Sequence, residues 1–375
     1  MRIAILWTRL SGYLNVCLKE LASREGVEIF VSHEVAGSDA PFDDVQFSWM
    51  SNRISWRTER DDLDPLSSRL DAFDPEILIF AGWHIRPYRK AARAFANRSW
   101  RVMTMDNCWR ATPKQIAGRW IARIYLRPLT DAVWLPGERQ AIFARRLGFD
   151  QQMILRGLYS CDQTAMEAPH IARVTTNRPV PRSFLFLGRF VPEKRTDMLL
   201  KAYELYRDNT LNPWPLVCCG VGSLKSELEG KRGIQVKGFV QPERIPEVLA
   251  SAGWLVLPSQ FEPWGVVVHE AASAGLAILA SEKVGAVPHL VQPGYNGFIF
   301  GISDFVGLAT LMSQVSAMGD AQLDEMSRAS FLLSRQFSPK RWADTLLEAF
   351  AMNSRVCISP DTGITNAPKL RVLIL

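Results

Sequence analysis

"FEPWGVVVHEAASAG", Phe261 to Gly275, carries two glutamates, Glu262 and Glu270, with seven residues between them that include a proline, a glycine and three valines. Upstream, "GWLVLPS" (253–259) is a short apolar run bounded by Pro258 and Ser259, the pattern of a strand buried in a parallel sheet. Downstream, Ala271, Ala272 and Ala274 favour a helix, and Gly275 stops it. The stretch is therefore read as a strand-to-helix turn at the carboxyl edge of a sheet, where open α/β sheets bind their ligands. Glu262 falls in the loop and Glu270 more than one turn into the helix. The free N–H groups of Gly265, Val266 and Val267 at the helix start make an anion site that needs no side chain. A phosphate there, flanked by two carboxylates that accept hydroxyls, describes a nucleotide bearing a sugar. Taken singly, Glu262 also reads as a solvated loop residue and Glu270 as a charge on a helix face.

Strand-like and helical runs alternate along the chain, and they do so twice. "RIAILW" (2–7), "VEIFVS" (27–32), "EILIFAG" (76–82), "WRVMTMD" (100–106) and "AVWLPG" (132–137) make the first set. "SFLFLG" (183–188), "PLVCCG" (215–220), "IQVKGFV" (234–240), "GWLVLPS" and "LAILASE" (276–282) make the second. This predicts an α/β protein with a first domain over 1–170, a proline-bearing linker over 171–182 and a second domain over 183–336. A long helix (337–353) and a tail of unassigned role (354–375) follow.

A chain of 375 residues, 47% hydrophobic and 22% charged, has room for two folded domains and lies far from the disordered class. No apolar run approaches the roughly 18 residues needed to cross a bilayer, and "MRIAILWTRL" reads as a first strand rather than a signal peptide, so a cytoplasmic location is expected. The six cysteines show no CxxC spacing and read as buried thiols. The net charge of +6 is unevenly spread: residues 86–146 hold fourteen Lys and Arg against three acidic residues. Such a region attracts nucleic acid, an acidic glycan or an anionic membrane face. No nucleic-acid-binding signature accompanies it, which disfavours the first. Within it, "KQIAGRWIARIYLRPL" (114–129) sets Ile116, Trp120, Ile124 and Tyr125 against Lys114, Arg119, Arg123 and Arg127. That amphipathic pattern is read either as an ordinary surface helix packed on a core or as peripheral contact with the inner face of a membrane.

The second informative stretch is "GRFVPEKRTDMLLKAY" (188–203), directly after the first strand of the second half. Gly188 and Arg189 end the strand and Lys194 closes the loop, two cations at a sheet edge as a diphosphate requires. With the two spaced glutamates, this segment resembles the retaining nucleotide-sugar glycosyltransferases of the GT-B fold, the glycosyl transferases group 1. The likeness runs from about Phe184 to Phe350. It implies two Rossmann-like domains facing a cleft, with the last long helix crossing back to the first domain. It further implies that Arg189 and Lys194 hold the donor diphosphate, that Glu262 holds hydroxyls of the transferred sugar, and that Glu270 holds the ribose. Gly220 and Gly222 resemble the family's second glycine turn, Gly238, Phe239 and Val240 the strand end beside the base, and Pro263, Trp264, Gly265, Val266 and Val267 the donor loop. The nucleotide sugar is a co-substrate, and no cofactor or metal is implied.

The first half matches more loosely. Gly12 stands alone where the family usually has two glycines, which puts the closing of that loop over the phosphates in doubt. His84, in "FAGWHIRPYR", falls where the family often carries a histidine in the catalytic cleft, so it joins Arg189, Lys194 and Glu262 as a candidate catalytic residue. Asp106, Asn107 and Arg110 are expected on the acceptor side with His84. The implied reaction is transfer of a sugar from a nucleoside-diphosphate sugar to a glycan or lipid-linked acceptor with retention. A GT-B sugar-nucleotide epimerase or a donor-binding subunit without activity remains an alternative. "GVGSLK" lacks the third glycine of a dinucleotide site, and no G-x-x-x-x-G-K-[ST] loop is present. Asp62-Leu63-Asp64 has the spacing of a metal-binding pair but reads as a helix start.

Overall fold

Every pair of neighbouring strands in the computed structural model is parallel, and the strands form two sheets. The structure describes residues 1–35, 44–56 and 64–357. Residues 358–375 of the tail, and Asp62 and Leu63 of the Asp-x-Asp triplet, lie outside the described residues. The chain divides into two units, Met1–Tyr159 with Pro339–Leu375, and Ser160–Ser338.

Among the described residues the first unit holds seven strands: β1 (Arg2–Arg9), β2 (Glu28–Glu34), β3 (Arg53–Trp56), β4 (Ile77–Phe80), β5 (Trp100–Thr104), β6 (Ala132–Trp134) and β7 (Ile154–Leu155), in the order β3-β2-β1-β4-β5-β6-β7. Its strands alternate between two apolar layers, as strand geometry requires. Ala4, Leu6, Leu78, Phe80 and Met103 face one layer, and Ile3, Ile5, Ile77, Ile79 and Val102 the other. The helix Pro339–Cys357 closes the second layer. Its Trp342 is buried against Trp134, with ring centroids 4.6 Å apart, and donates from Nε1 to the Leu158 carbonyl at 2.8 Å. Asp344 on the same helix accepts from Arg24 at 2.8 Å. The last helix thus returns to the first unit.

The second unit holds β8 (Phe184–Leu187), β9 (Leu216–Cys219), β10 (Ile234–Lys237), β11 (Trp254–Leu257), β12 (Ala277–Ser281) and β13 (Gly297–Phe300), in the order β10-β9-β8-β11-β12-β13. Its central strand β11 is wholly buried along "WLVL", as a strand covered by helices on both faces must be. In each sheet the order reverses once, between β1 and β4 and between β8 and β11. Those reversals leave a crevice at the carboxyl edge, the place an open α/β sheet offers a ligand.

Two features differ from the reading of the sequence. The strands β3, β7 and β13 were not anticipated: β7 has two residues, and β3, "RISW", is largely half-exposed at the sheet edge, so neither shows an apolar run. Residues 171–175 of the expected linker are helical, within Gln163–Thr175. Asp162 caps that helix by accepting from the Ala165 N–H at 3.1 Å, and burial of Met166 and His170 holds it despite Pro169 in its interior.

Candidate functional site

At the reversal in the second unit the loop after β8 is tied to the loop after β11. The Gln260 N–H donates to the Glu193 carbonyl at 2.8 Å, and the Lys194 ammonium donates to the Glu262 carboxylate. Ser259 adds a long hydroxyl contact to the same carboxylate at 3.4 Å. Lys194 and Glu262 are only 15% and 12% exposed, so each offsets the desolvation of the other. Arg189, at the end of β8, is exposed and makes no hydrogen bond or ion pair among the described residues.

The loops themselves pack backbone against backbone. Gly220 and Gly222 adopt φ of 147° and 151°, and a Cβ on either would lie 2.0 Å from the Gly188 carbonyl oxygen or 2.2 Å from that of Phe190. Only glycine fits there. The Gly220 N–H bonds the carbonyls of Lys237 and Gly238 at 3.2 and 3.1 Å, which seats Gly238 and the half-buried Phe239 and Val240 on the same edge. A segment that sequence reasoning passed over completes the frame. Gly285 donates to the Glu262 carbonyl at 3.0 Å and Ala286 to that of Trp264 at 2.8 Å, and a Cβ at Gly285 would meet the Pro263 carbonyl oxygen at 1.9 Å. The signal available was the "VGAVP" run after β12, a glycine followed by a proline at a short helix start.

The helix over Val266–Ser273 begins at Gly265, which caps it with φ of 93°. The N–H groups at that start have no carbonyl one turn back to receive them. Glu270, half-buried on this helix, has no hydrogen-bond partner for its carboxyl among the described residues, and burial pushes it up to about 7. His269 beside it is a frame residue. Its Nδ1 accepts from the Cys161 N–H at 3.2 Å, which leaves Nε2 to donate to the Ser334 carbonyl at 3.0 Å, and burial lowers it to about 4. The Trp264 side chain does not join the donor loop. It is 2% exposed and packs on His289 and Phe337, leaving only its backbone at the edge.

The reversal in the first unit carries a cavity of about 480 Å³ lined by the ends of β1, β4 and β5. Trp7, Tyr13, Trp83 and Tyr159 supply rings, and His84, Asp106 and Asn107 supply polar edges. Tyr159 donates to the Asp106 carboxylate at 3.2 Å and meets Tyr13 edge-on at 5.3 Å. Burial, with Tyr13 and the Asp106 carboxylate nearby, holds its phenol well above the usual range. His84 is exposed at the rim, edge-on to Trp83. Gly12 opens the helix Gly12–Ala22 beside the cavity, behind Ser11 and before Tyr13, which line it. Arg110 does not line it. Its N–H is held by the Gln115 side chain at 2.7 Å, at the start of the helix Pro113–Tyr125.

Residues 170–330 match the family model of the glycosyl transferases group 1. The second unit is a group 1 glycosyl transferase domain. O-antigen chain mannosyltransferase B of Escherichia coli is 26% identical over 176 residues, 45% of each chain. A D-inositol 3-phosphate glycosyltransferase of Streptomyces griseus is 34% identical over 130 residues, 31% of this chain and 27% of the relative. These alignments span less than half of the curated relatives they match. In fold the whole chain resembles HepE of Anabaena, solved with UDP and glucose, at a TM-score of 0.68 and 16% identity over 92% of this chain and 99% of that one. It also resembles sucrose-phosphate synthase of Thermosynechococcus elongatus, at 0.70 and 15% over 95% and 99%. The fold is GT-B, with two Rossmann-like domains.

Proposed function

We propose that this chain moves a sugar from a nucleoside-diphosphate sugar to a glycan or lipid-linked acceptor, with retention of anomeric configuration and without a metal ion. The observation that supports this best is the second unit's crevice. There a lysine paired with a carboxylate, an open helix start and, among the described residues, an unpaired arginine and a partnerless carboxyl share one sheet edge. In this reading the diphosphate rests on Arg189, Lys194 and the N–H groups of Gly265, Val266 and Val267. As Lys194 turns to the phosphate, Glu262 is released to the hydroxyls of the transferred sugar. Glu270 takes the ribose hydroxyls.

The acceptor occupies the first unit's cavity, whose rings suit the apolar faces of a saccharide while Asp106 and His84 meet its hydroxyls. The acceptor oxygen bonds to the anomeric carbon as the bond from that carbon to the diphosphate oxygen breaks on the same face, and the acceptor proton leaves with the diphosphate. Negative charge grows on the leaving group, so fixed cations around it contribute most of the rate.

Thermal-shift measurements with UDP-, GDP- and ADP-sugars test the donor site, since a ligand of the folded state raises the melting point by mass action. HepE, solved with UDP, makes the UDP-sugars the first to try. One nucleotide class should stabilise the protein, and Arg189→Ala should abolish the effect. Failure of all three would sink the donor reading. A glycoside product, an epimerised donor, or binding without turnover then separates transferase from epimerase and from an inactive subunit. Transfer should persist in EDTA. Restoration by Mg²⁺ or Mn²⁺ of activity lost to the chelator would overturn the metal-free scheme.

A further inference from the structure

The helix Pro113–Tyr125 is mounted with its apolar side away from the protein. The side facing inward is narrow: Ala122 is the buried residue of the helix, and Leu126 follows it at the end. The residues at Trp120, Ile121 and Ile124, on the opposite side, are 67%, 62% and 83% exposed, and Ile116 extends the ridge. An ordinary surface helix shows the reverse. Arg119 lies over the Trp120 ring at 5.0 Å. Tyr125, at the end of the helix, sits against Arg89 and Arg93 of the neighbouring helix Arg86–Ala94, at 5.8 and 5.6 Å.

Charge decides what such a ridge meets. Arg86, Lys90, Arg93, Lys114, Arg119 and Arg123 border it, and none pairs with a carboxylate among the described residues. The three acidic residues of this region are engaged elsewhere: Asp106 with Tyr159, Asp131 with Arg101 and Glu138 with Arg156. Arg127 is not part of the face. It donates to the Gly148 carbonyl and pairs with Asp150, so it fixes the end of the helix instead.

We propose that this helix is a membrane-docking element: it lies in the surface of an anionic phospholipid bilayer, with Trp120, Ile121 and Ile124 among the acyl chains and the bordering cations on the headgroups. At 13 residues, roughly 20 Å, it lies along the bilayer and does not span it. Arg89 joins this face to the cavity already described. From beside Tyr125 it donates to the carbonyls of Trp83 and His84 at 3.2 and 2.9 Å, the loop that forms the cavity rim. A docked protein would hold its acceptor cavity at headgroup level, which deepens the acceptor side of the proposed function and favours a lipid-linked acceptor.

The test is co-sedimentation of the full chain with vesicles of phosphatidylglycerol and phosphatidylcholine against vesicles of phosphatidylcholine alone, at low and high salt. Wild type should bind the anionic vesicles and be released as salt rises. Trp120→Ser/Ile124→Ser should weaken binding at least tenfold and Arg119→Ala about fivefold. Circular dichroism should be unchanged, because all three side chains are exposed. The proposal is overturned if wild type stays in the supernatant at low salt, if the double variant binds as well as wild type, or if the ridge proves to be a dimer contact, with wild type dimeric in sedimentation velocity and the double variant monomeric. The donor reading stands or falls separately, since nucleotide-sugar thermal shifts need no lipid.

Discussion

After β1 and β4 the first unit lines its crevice with rings, whereas after β8 and β11 the second lines its own with backbone. In the first, four aromatic side chains and a few polar edges enclose a cavity of about 480 Å³. In the second, glycine loops stand so close that a single added carbon at Gly220 or Gly285 would lie about 2 Å from a neighbouring carbonyl oxygen. The same topological position thus yields two kinds of site. In the proposed function, N–H groups and a few charges bind what every nucleotide sugar shares, a diphosphate and hydroxyls, and they hold it only if the loops cannot yield. Side-chain walls bind shape, and exchanging one ring changes the ligand without changing the fold.

The sharpest way to break this contrast is to remove the two cations of the second crevice singly. Arg189→Ala and Lys194→Ala should each lower kcat/KM by about a hundredfold to a thousandfold, the loss expected for one preorganised charge partner. Their effects on folding should part company. Arg189 is exposed and unpaired, so its loss should leave the melting point unchanged. Lys194 neutralises a mostly buried Glu262, so Lys194→Ala should cost about 3 kcal/mol of stability. Equal melting points for the two variants would mean that the ion pair is not part of the frame.

A smaller effect is expected in the first crevice. Tyr159→Phe keeps the ring and removes the hydrogen bond to Asp106, which should loosen the carboxylate and weaken acceptor binding about tenfold, the scale of one hydrogen bond to a charged group. Donor affinity, measured by titrating the nucleotide sugar alone, should not move. If it moved as much as acceptor affinity, the two crevices would not be separate binding functions.

The same contrast explains what could be read from the chain before folding. The second crevice was legible because its parts are local. Gly188, Arg189 and Lys194 follow one apolar run, and Glu262, Gly265 and Glu270 follow another. The first crevice was legible only at His84, Asp106 and Asn107, since nothing in the order of residues brings Trp7, Tyr13 and Tyr159 together except the sheet. For the helix 113–125 the sequence left two readings open, a surface helix packed on the core or a membrane contact, and the exposed apolar ridge does not fit the first. Its alternation of apolar and basic residues does not by itself tell which side turns inward: Ala122 and Leu126 are buried, while Trp120, Ile121 and Ile124 stay exposed. The facing of the Trp264 ring was not legible either: it packs inward on Phe337 and His289 and leaves its backbone at the loop.

The subtlest prediction concerns Glu270, whose carboxyl has no hydrogen-bond partner among the described residues. Burial raises it to about 7 from an ordinary 4.5. Between those values the folded protein holds a proton that the unfolded chain releases, so stability falls as pH rises from about 4.5 to about 7 and then levels off. Glu270→Gln has no proton to lose. Its melting curve for the second unit should lack this decline, and the gap between wild type and variant should widen by roughly a few degrees across that interval. Nucleotide affinity should run the other way in the wild type. Ribose hydroxyls donate best to the ionised carboxyl, so binding should strengthen as pH passes about 7, while Glu270→Gln binds more weakly and with no pH dependence in this range. Parallel pH profiles for the two proteins, in melting and in binding alike, would show that Glu270 is solvated as an ordinary helix-face charge and would remove it from the donor site.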